Sequence, residues 1–160
     1  MILKDNKLIL NGVLIFSILS LSIAYFIQYI LGHKPCNLCL IERIPYIASV
    51  ILISVIFIIN KFEKIISIII LLFFIFASVV SFYHFGIEQG FFNESLVCDL
   101  ENNLNLSKEQ LLKQLESSSV VSCKDVTFRA LGFSLATINT IISIILSVIM
   151  IRVIKNNDKN

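Results

Sequence analysis

The stretch Ile65–Phe85, IISIIILLFFIFASVVSFYHF, contains no Asp, Glu, Lys or Arg. A helix that crosses a lipid bilayer needs about 20 mostly apolar residues, and this stretch is long enough. A helix buried in a water-soluble bundle would keep a polar stripe along one face, whereas no such stripe interrupts this run. The sequence therefore predicts that the stretch is a transmembrane helix.

Three other apolar runs accompany it in a chain of 160 residues that is 57% hydrophobic and only 15% charged. Soluble domains carry more charge than this. The run at 44–59 is short for a span, so we predict that its helix extends back toward Leu38 or Cys39. The first run exceeds the apolar core of a signal peptide and no A-x-A site follows it, so we predict that it stays in the mature protein. The predicted fold class is all-α, a single integral membrane domain over residues 1–160 with a bundle of four transmembrane helices, at about 8–31, 40–59, 65–85 and 132–154.

Charged side chains are distributed unevenly around these spans. The N-terminal flank, the turn at 60–64 and the C-terminal tail carry seven basic and three acidic side chains, namely Lys4, Lys7, Lys61, Lys64, Arg152, Lys155 and Lys159 against Asp5, Glu63 and Asp158. The loops at 32–43 and 86–131 carry six basic and eight acidic side chains. Because cytoplasmic segments are enriched in Lys and Arg, both termini are predicted to be cytoplasmic and both loops to lie outside. The basic residues are scattered, so no nucleic-acid-binding patch is indicated.

The second outer loop contains a segment with helical periodicity, at 105–117. Ser107 followed by Gln110 resembles a capping box. Apolar side chains fall roughly on one face and charged ones mostly on the other, Leu104, Leu111, Leu112 and Leu115 against Lys108, Glu109, Lys113 and Glu116. We predict a short amphipathic helix on the membrane surface, with an ordinary surface helix over the loop as the alternative.

All four cysteines fall in the two outer loops, where disulfides can form and persist. Cys36 and Cys39 form a C-x-x-C pair at a predicted helix start, where the helix N-terminus favours a thiolate. Arg43 follows Cys39 by one helical turn and can stabilise an anion there. The alternatives are an inert disulfide with an interfacial Arg anchor, or a four-cysteine zinc site, which the wide separation of Cys98 and Cys123 disfavours.

The second pair, Cys98 and Cys123, brackets the predicted amphipathic helix. A disulfide there is either structural, closing a long loop, or exchangeable with the thiol of a partner. His84 lies at the end of the third span and can hydrogen-bond a quinone carbonyl or relay a proton, although an anchoring role is the simpler interpretation.

Three segments together resemble the bacterial DsbB family of disulfide bond formation proteins. They are PCNLCLIERIPY at 35–46, YHFGIE at 83–88, and SCKD followed by FRALGFS within 122–134. The first is similar to the C-x-x-C-x-x-x-R signature of the family, and the resemblance covers nearly the whole chain. It implies a quinone-dependent thiol oxidase of the bacterial inner membrane that reoxidises a soluble DsbA-like oxidase of the thioredoxin fold, with ubiquinone or menaquinone as cofactor.

The resemblance also implies residue roles. Cys98 forms the mixed disulfide with the partner, and Cys123 is its disulfide mate. Cys36 exchanges with this second pair, and Cys39 is the thiolate that faces the quinone beside Arg43. Two alternatives remain, an enzyme of the vitamin K epoxide reductase type, in which the C-x-x-C lies near a later span, and a membrane scaffold with structural disulfides.

Overall fold

We analysed a computed structural model of the chain, which describes residues 2–59, 62–93, 123–124, 129–130 and 133–157. The predicted amphipathic helix at 105–117 and Cys98 lie outside these residues. The described helices are α1 (Ile2–Tyr29), α2 (Asn37–Ile41), α3 (Ile44–Ile59), α4 (Glu63–Glu88) and α5 (Leu135–Asn157). Strands β1 (Arg129–Ala130) and β2 (Phe133–Ser134) pair antiparallel.

Within the part of the chain that the structure describes, four helical segments are long and apolar enough to cross a membrane, which confirms the predicted fold class. They are Asn6–Tyr29, Asn37–Ile59, Glu63–Glu88 and Leu135–Asn157. Large apolar side chains project outward from them, including Ile23, Ile58, Leu72 and Ile141, all more than half exposed. Lipid is the medium that accommodates such a surface, so the chain is a membrane protein.

The second span consists of two helices that follow each other directly. Pro45 has no N–H to donate to the carbonyl of Ile41, and its ring disfavours a continuous helix at that point. The backbone N–H of Arg43 instead donates to the carbonyl of Leu40 at 3.2 Å, three residues back. The span therefore does extend back past Cys39, and it carries a turn at Glu42 and Arg43.

The four spans form a closed ring in which each helix packs against two neighbours. α1 packs on α3, α3 on α4, α4 on α5, and α5 again on α1. Apolar side chains from all four spans make the core, namely Leu10, Val13, Tyr46, Ile53, Ile56, Ile70, Phe74, Leu146, Met150 and Val153. Most of this core lies toward the end of the bundle that contains the two chain termini, and Tyr46, near the start of α3, extends it toward the other end.

The last span begins slightly later than predicted, because a short hairpin precedes it. Its predicted start is at about 132, whereas β2 occupies Phe133–Ser134 and α5 starts at Leu135. Ser134 Oγ accepts a hydrogen bond from the backbone N–H of Thr137 at 3.2 Å, which is an N-cap interaction. The strand pair was not predicted, since two-residue strands leave no periodic pattern in a sequence.

The far end of α4 is closed by a tight turn. Gly90 has a φ of +76°, a left-handed conformation that favours glycine. The backbone N–H groups of Phe91 and Phe92 both donate to the carbonyl of Gly86, at 2.8 and 3.2 Å. A Cβ on Gly86 would lie 2.2 Å from the Phe92 ring, so a larger residue there would have to displace that ring. This turn holds the end of α4 that carries His84.

Candidate functional site

A cavity of about 260 Å³ lies at the end of the bundle opposite the chain termini. Its walls come from α1, from the α2–α3 segment, from α4 and from α5. The polar lining residues include Gln28, Cys36, Cys39, Glu42, Arg43, His84, Glu88 and Asn139, and apolar side chains such as Leu21, Ile27 and Ile142 cover the rest. The cavity therefore joins an apolar chamber to a cluster of thiols and charged groups.

Cys36 is the N-cap of α2. Its Sγ accepts a hydrogen bond from the backbone N–H of Cys39 at 3.3 Å, and the residue is only 5% exposed. The C-x-x-C spacing brings the two side chains onto the same turn, so that a hydrogen bond joins the two sulfur atoms at 2.9 Å. Both cysteines are free thiols in this structure. The arrangement is a dithiol that can close into a disulfide.

His84 connects this dithiol to a buried carboxylate. Its Nε2 lies 3.6 Å from Cys36 Sγ, and its Nδ1 donates to Glu42 Oε1 at 2.8 Å. A carboxylate that accepts from Nδ1 fixes the orientation of the ring and leaves Nε2 directed at the sulfur. Cys36, His84 and Glu42 therefore form a thiol–imidazole–carboxylate chain across α2 and α4.

Glu42 is held in turn by α5 through Asn139. The Asn139 amide nitrogen donates to Glu42 Oε2 at 2.8 Å and to Ser81 Oγ at 2.6 Å. Its oxygen accepts from the Tyr46 hydroxyl at 2.5 Å. Buried polar groups are favourable only when they find such partners, so the network fixes the relative positions of α3, α4 and α5.

The environment of Cys36 stabilises its thiolate. The hydrogen bond from Cys39 is the largest effect that lowers the pKa of the Cys36 thiol, and burial opposes it. A hydrogen bond from His84, the positive charge of that ring and the backbone N–H of Cys39 lower the pKa further, to about 4. In the reduced pair, the sulfur that ionises more readily is therefore that of Cys36, a preference that the sequence did not indicate.

Arg43 lies in the turn between α2 and α3 and reaches across to α1. Its Nη1 donates to Gln28 Oε1 at 2.6 Å, and its guanidinium lies 5.0 Å from the centre of the Tyr25 ring. The side chain lines the same cavity as Cys39. Arg43 and Cys39 therefore line the same cavity. The hydrogen bond that the structure gives for the Arg43 side chain is to Gln28.

Cys123 lies in the same buried cluster as the first cysteine pair. It is 2% exposed and belongs to one buried cluster with Cys36, Leu38 and Ile87. Cys123 is disulfide-bonded. Its predicted mate, Cys98, lies outside the described residues, so this pairing stays a prediction.

Residues 6–153 match the family model of disulfide bond formation protein DsbB. The chain belongs to the DsbB family. It is also similar to an uncharacterized protein of Rickettsia prowazekii (strain Madrid E), with 32% identity over 150 residues that cover 92% of this chain and 87% of that protein. No solved structure matches the chain. Family membership makes the chain a membrane protein of disulfide bond formation, with the disulfide oxidoreductase activity that the family implies.

Part of this site in the DsbB-family chain was not predicted from the sequence. Glu42, Glu88 and Asn139 were not among the candidate residues, although each is a polar side chain at the edge of an apolar span or within it. Such residues are costly in a membrane and usually face the interior of a bundle, and that signal was available. Their partners were not predictable, because Glu42 and Asn139 meet only through the packing of separate helices.

Proposed function

We propose that this chain reoxidises a soluble thioredoxin-fold oxidase of the DsbA type and passes the electrons to a membrane quinone, ubiquinone or menaquinone. The single observation that carries the proposal is the cavity in which Cys36, Cys39, His84 and Arg43 meet apolar walls. The membership of the chain in the DsbB family, which is generally quinone-linked, supports the same conclusion.

The lining of the cavity fits the chemistry of a quinone. Leu21 and Ile142 offer an apolar surface to a ring or an isoprenoid chain, and Arg43 offers N–H donors to a ring oxygen. When bound, a quinone supplies an acceptor for two electrons and two protons. Cys39 lines the same cavity, and the family resemblance makes it the thiol that faces the quinone.

The four cysteines act as a relay of thiol–disulfide exchanges. A thiolate of the partner attacks Cys98 of a Cys98–Cys123 disulfide, and Cys123 leaves as a thiolate. Cys123 then attacks Cys36 of a Cys36–Cys39 disulfide, and Cys39 is released with the electron pair. The second thiol of the partner displaces Cys98, and Cys98 recloses its bond with Cys123 as Cys36 is released. The net result is an oxidised partner and a reduced Cys36–Cys39 pair, which passes two electrons on as its disulfide re-forms.

Two features of the described residues support this relay. Cys123 packs in one buried cluster with Cys36, as an exchange between these two residues requires. His84 Nε2 lies 3.6 Å from Cys36 Sγ, within reach of the proton that this sulfur binds and releases. Of the two catalytic roles considered for His84 beside a simple anchoring role, this position favours the proton relay over direct contact with a quinone oxygen.

The proposed setting is the inner membrane of a bacterium, with both termini in the cytoplasm and the cysteines in the periplasm. The excess of Lys and Arg in the terminal and 60–64 segments supports this orientation. The cavity lies at the end of the bundle away from the termini, which would place it near the periplasmic surface.

The test is turnover with a reduced thioredoxin-fold oxidase and a short-chain quinone in detergent, followed by quinone absorbance. We expect Cys39→Ser to abolish quinone reduction. We expect Arg43→Gln to raise the quinone KM by about 10-fold or more, because a donor in the cavity is lost. Arg152→Gln, at an exposed position near the other end of the bundle, is the matched control. Undiminished turnover in Cys39→Ser, or equal KM values in the two arginine variants, would contradict the assignment.

A further inference from the structure

The reduced cysteine pair and His84 form a cluster with the donor atoms of a metal site. Cys36 Sγ, Cys39 Sγ and a ring nitrogen of His84 lie within 4.8 Å of one another, and two of the three residues are buried. Two thiolates and an imidazole are the ligands that Zn²⁺ prefers, in sites that are usually tetrahedral. Among the residues that the structure describes, these three make up the one such group.

The distances are close to those of a zinc centre. With Zn–S bonds of about 2.3 Å and Zn–N bonds of about 2.0–2.1 Å, tetrahedral geometry puts sulfur and nitrogen about 3.5 Å apart and two sulfurs about 3.8 Å apart. Cys36 Sγ and His84 Nε2 are 3.6 Å apart, which already fits. The two sulfurs are 2.9 Å apart, so they must separate by about 0.9 Å, and the gap between Cys39 Sγ and the ring nitrogen, which is within 4.8 Å, must come to about 3.5 Å.

The hydrogen bond on the other side of the His84 ring also matches a metal site. Histidines that bind a metal almost always donate their other ring N–H to a carboxylate or carbonyl, which fixes the tautomer. His84 does so here, through Nδ1 to Glu42 Oε1 at 2.8 Å. Its Nε2, the nitrogen that would bind the metal, is the one that lies near Cys36.

Glu88 is a candidate for the fourth ligand. Glu88 Oε1 lies 3.8 Å from His84 Nε2, and the Glu88 side chain is only 6% exposed. Its Oε2 is buried and, within the described part of the chain, has no hydrogen-bond partner, while the hydroxyl of Ser134 is within hydrogen-bonding reach of the same carboxyl group. An unpartnered buried carboxylate oxygen beside a thiol–imidazole cluster is a group that a cation would satisfy.

We propose that the reduced form of this chain binds one Zn²⁺ ion, or a cation of similar chemistry, through Cys36, Cys39 and His84, with Glu42 orienting His84 and Glu88 beside the open position. The ion takes the place of the thiol protons, which are released, and no electrons are transferred. The oxidised pair cannot bind it, because both sulfurs are then in a disulfide. Bound metal therefore keeps the pair reduced and blocks the relay. This consequence rests on the proposed function, whereas the existence of the binding site does not.

The test is an anaerobic Co²⁺ titration of the reduced full-length chain carrying Cys98→Ser and Cys123→Ser, so that only the first pair supplies thiols. We expect thiolate-to-cobalt absorption that saturates at one ion per chain and is displaced by Zn²⁺. Adding Cys39→Ser or His84→Gln should weaken binding about 100-fold or more, and Glu42→Gln about 10–100-fold. His33→Gln, which changes the other histidine of the chain, is the matched control and should bind like its parent.

A second measurement covers the case in which the double serine variant does not fold. In the otherwise unaltered chain, Zn²⁺ should protect Cys36 and Cys39 from alkylation, as read by peptide mass spectrometry. Absence of a thiolate-to-cobalt band together with unprotected thiols would overturn the proposal, as would affinity that is unchanged by His84→Gln. Neither measurement uses a quinone, so failure to bind metal would not argue against the proposed function. Conversely, a metal-free protein that fails to reduce quinone would not argue against the metal site.

Discussion

At Cys36, three groups converge on one sulfur atom: the thiol of Cys39, the backbone N–H of Cys39 and the ring of His84. Each stabilises negative charge on that sulfur, and together they outweigh the cost of burying it. Cys36 is the cysteine assigned to exchange with the second pair. A thiolate there is the group that such an exchange uses or releases.

This environment predicts the pH range in which Cys36 is ionised. Its pKa is lowered from 9.0 to about 4 in the folded chain, so the thiolate should persist through neutral pH and disappear only as the pH falls toward 4. The measurement is thiolate ultraviolet absorbance of the reduced chain carrying Cys98→Ser and Cys123→Ser, in metal-free buffer. The signal of the same chain with Cys36→Ser is subtracted. A midpoint close to 9.0 would show that the hydrogen bonds of Cys36 do not act as described.

His84 contributes to this shift through both its hydrogen bond and its charge. We therefore expect His84→Gln to move the Cys36 midpoint upward, toward the value of an ordinary thiol. His33→Gln is the matched control and should leave the midpoint where it is. If the two histidine variants gave equal titration curves, the contact between His84 and Cys36 would not be the source of the effect.

At the scale of elements, Asn139 is the point at which α3, α4 and α5 are joined. Asn139→Leu would leave the buried Glu42 carboxylate without its amide donor and the Tyr46 hydroxyl without its acceptor. We expect it to lower the stability of the bundle by about 1–2 kcal/mol, the range of hydrogen bonds between transmembrane helices, and to slow turnover. The measurement is thermal unfolding in detergent.

The control for Asn139→Leu is its neighbour Thr140. The Thr140 hydroxyl donates within its own helix, to the Ala136 carbonyl at 2.8 Å, so Thr140→Val removes a hydrogen bond without separating helices. We expect it to cost less than Asn139→Leu. Equal melting temperatures for the two variants would argue against a role for Asn139 in holding the helices together.

The elements differ in how far the sequence predicts them. The spans follow from the length of apolar runs, because the bilayer requires every backbone group to be paired within a helix. The position of the C-x-x-C at a helix start is also local information. The turn at Glu42 and Arg43 was foreseeable from Pro45, which prevents a continuous helix there. The contact of Glu42 with His84 was not, because it depends on the rotation of α4 against the α2–α3 segment.

At the scale of the whole molecule, the bundle has two unlike ends. The cavity lies at one of them. At the other, hydrogen bonds between asparagine side chains connect the first helix to the last. Asn6 Nδ2 donates to Asn157 Oδ1 at 2.6 Å, and Asn156 Nδ2 donates to Asn6 Oδ1 at 3.3 Å. Asn6 is fully buried, so these bonds replace water that the side chain would otherwise keep.

This separation predicts that stability and chemistry can be altered independently. Asn6→Ala should lower the melting temperature, by an amount equivalent to about 1–2 kcal/mol, because Asn156 and Asn157 lose a buried partner. It should leave the pH midpoint of Cys36 and the quinone KM unchanged. Asn11→Ala, on an exposed part of the same helix, should change none of these quantities. A shift of the quinone KM in Asn6→Ala would show that the two ends are coupled.

The proposed function requires that electrons pass from the Cys36–Cys39 thiols to a quinone. The most direct measurement uses the reduced chain carrying Cys98→Ser and Cys123→Ser, so that no second pair can exchange with the first. It is mixed with an equal amount of a short-chain quinone without oxygen and without a partner, and the free thiols are then counted residue by residue by alkylation and mass spectrometry. We expect free Cys36 and Cys39 to be lost as quinol forms in equal amount, and no quinol to form in Cys39→Ser. Thiols that stay free beside unchanged quinone, or quinol formed equally in Cys39→Ser, would contradict the account.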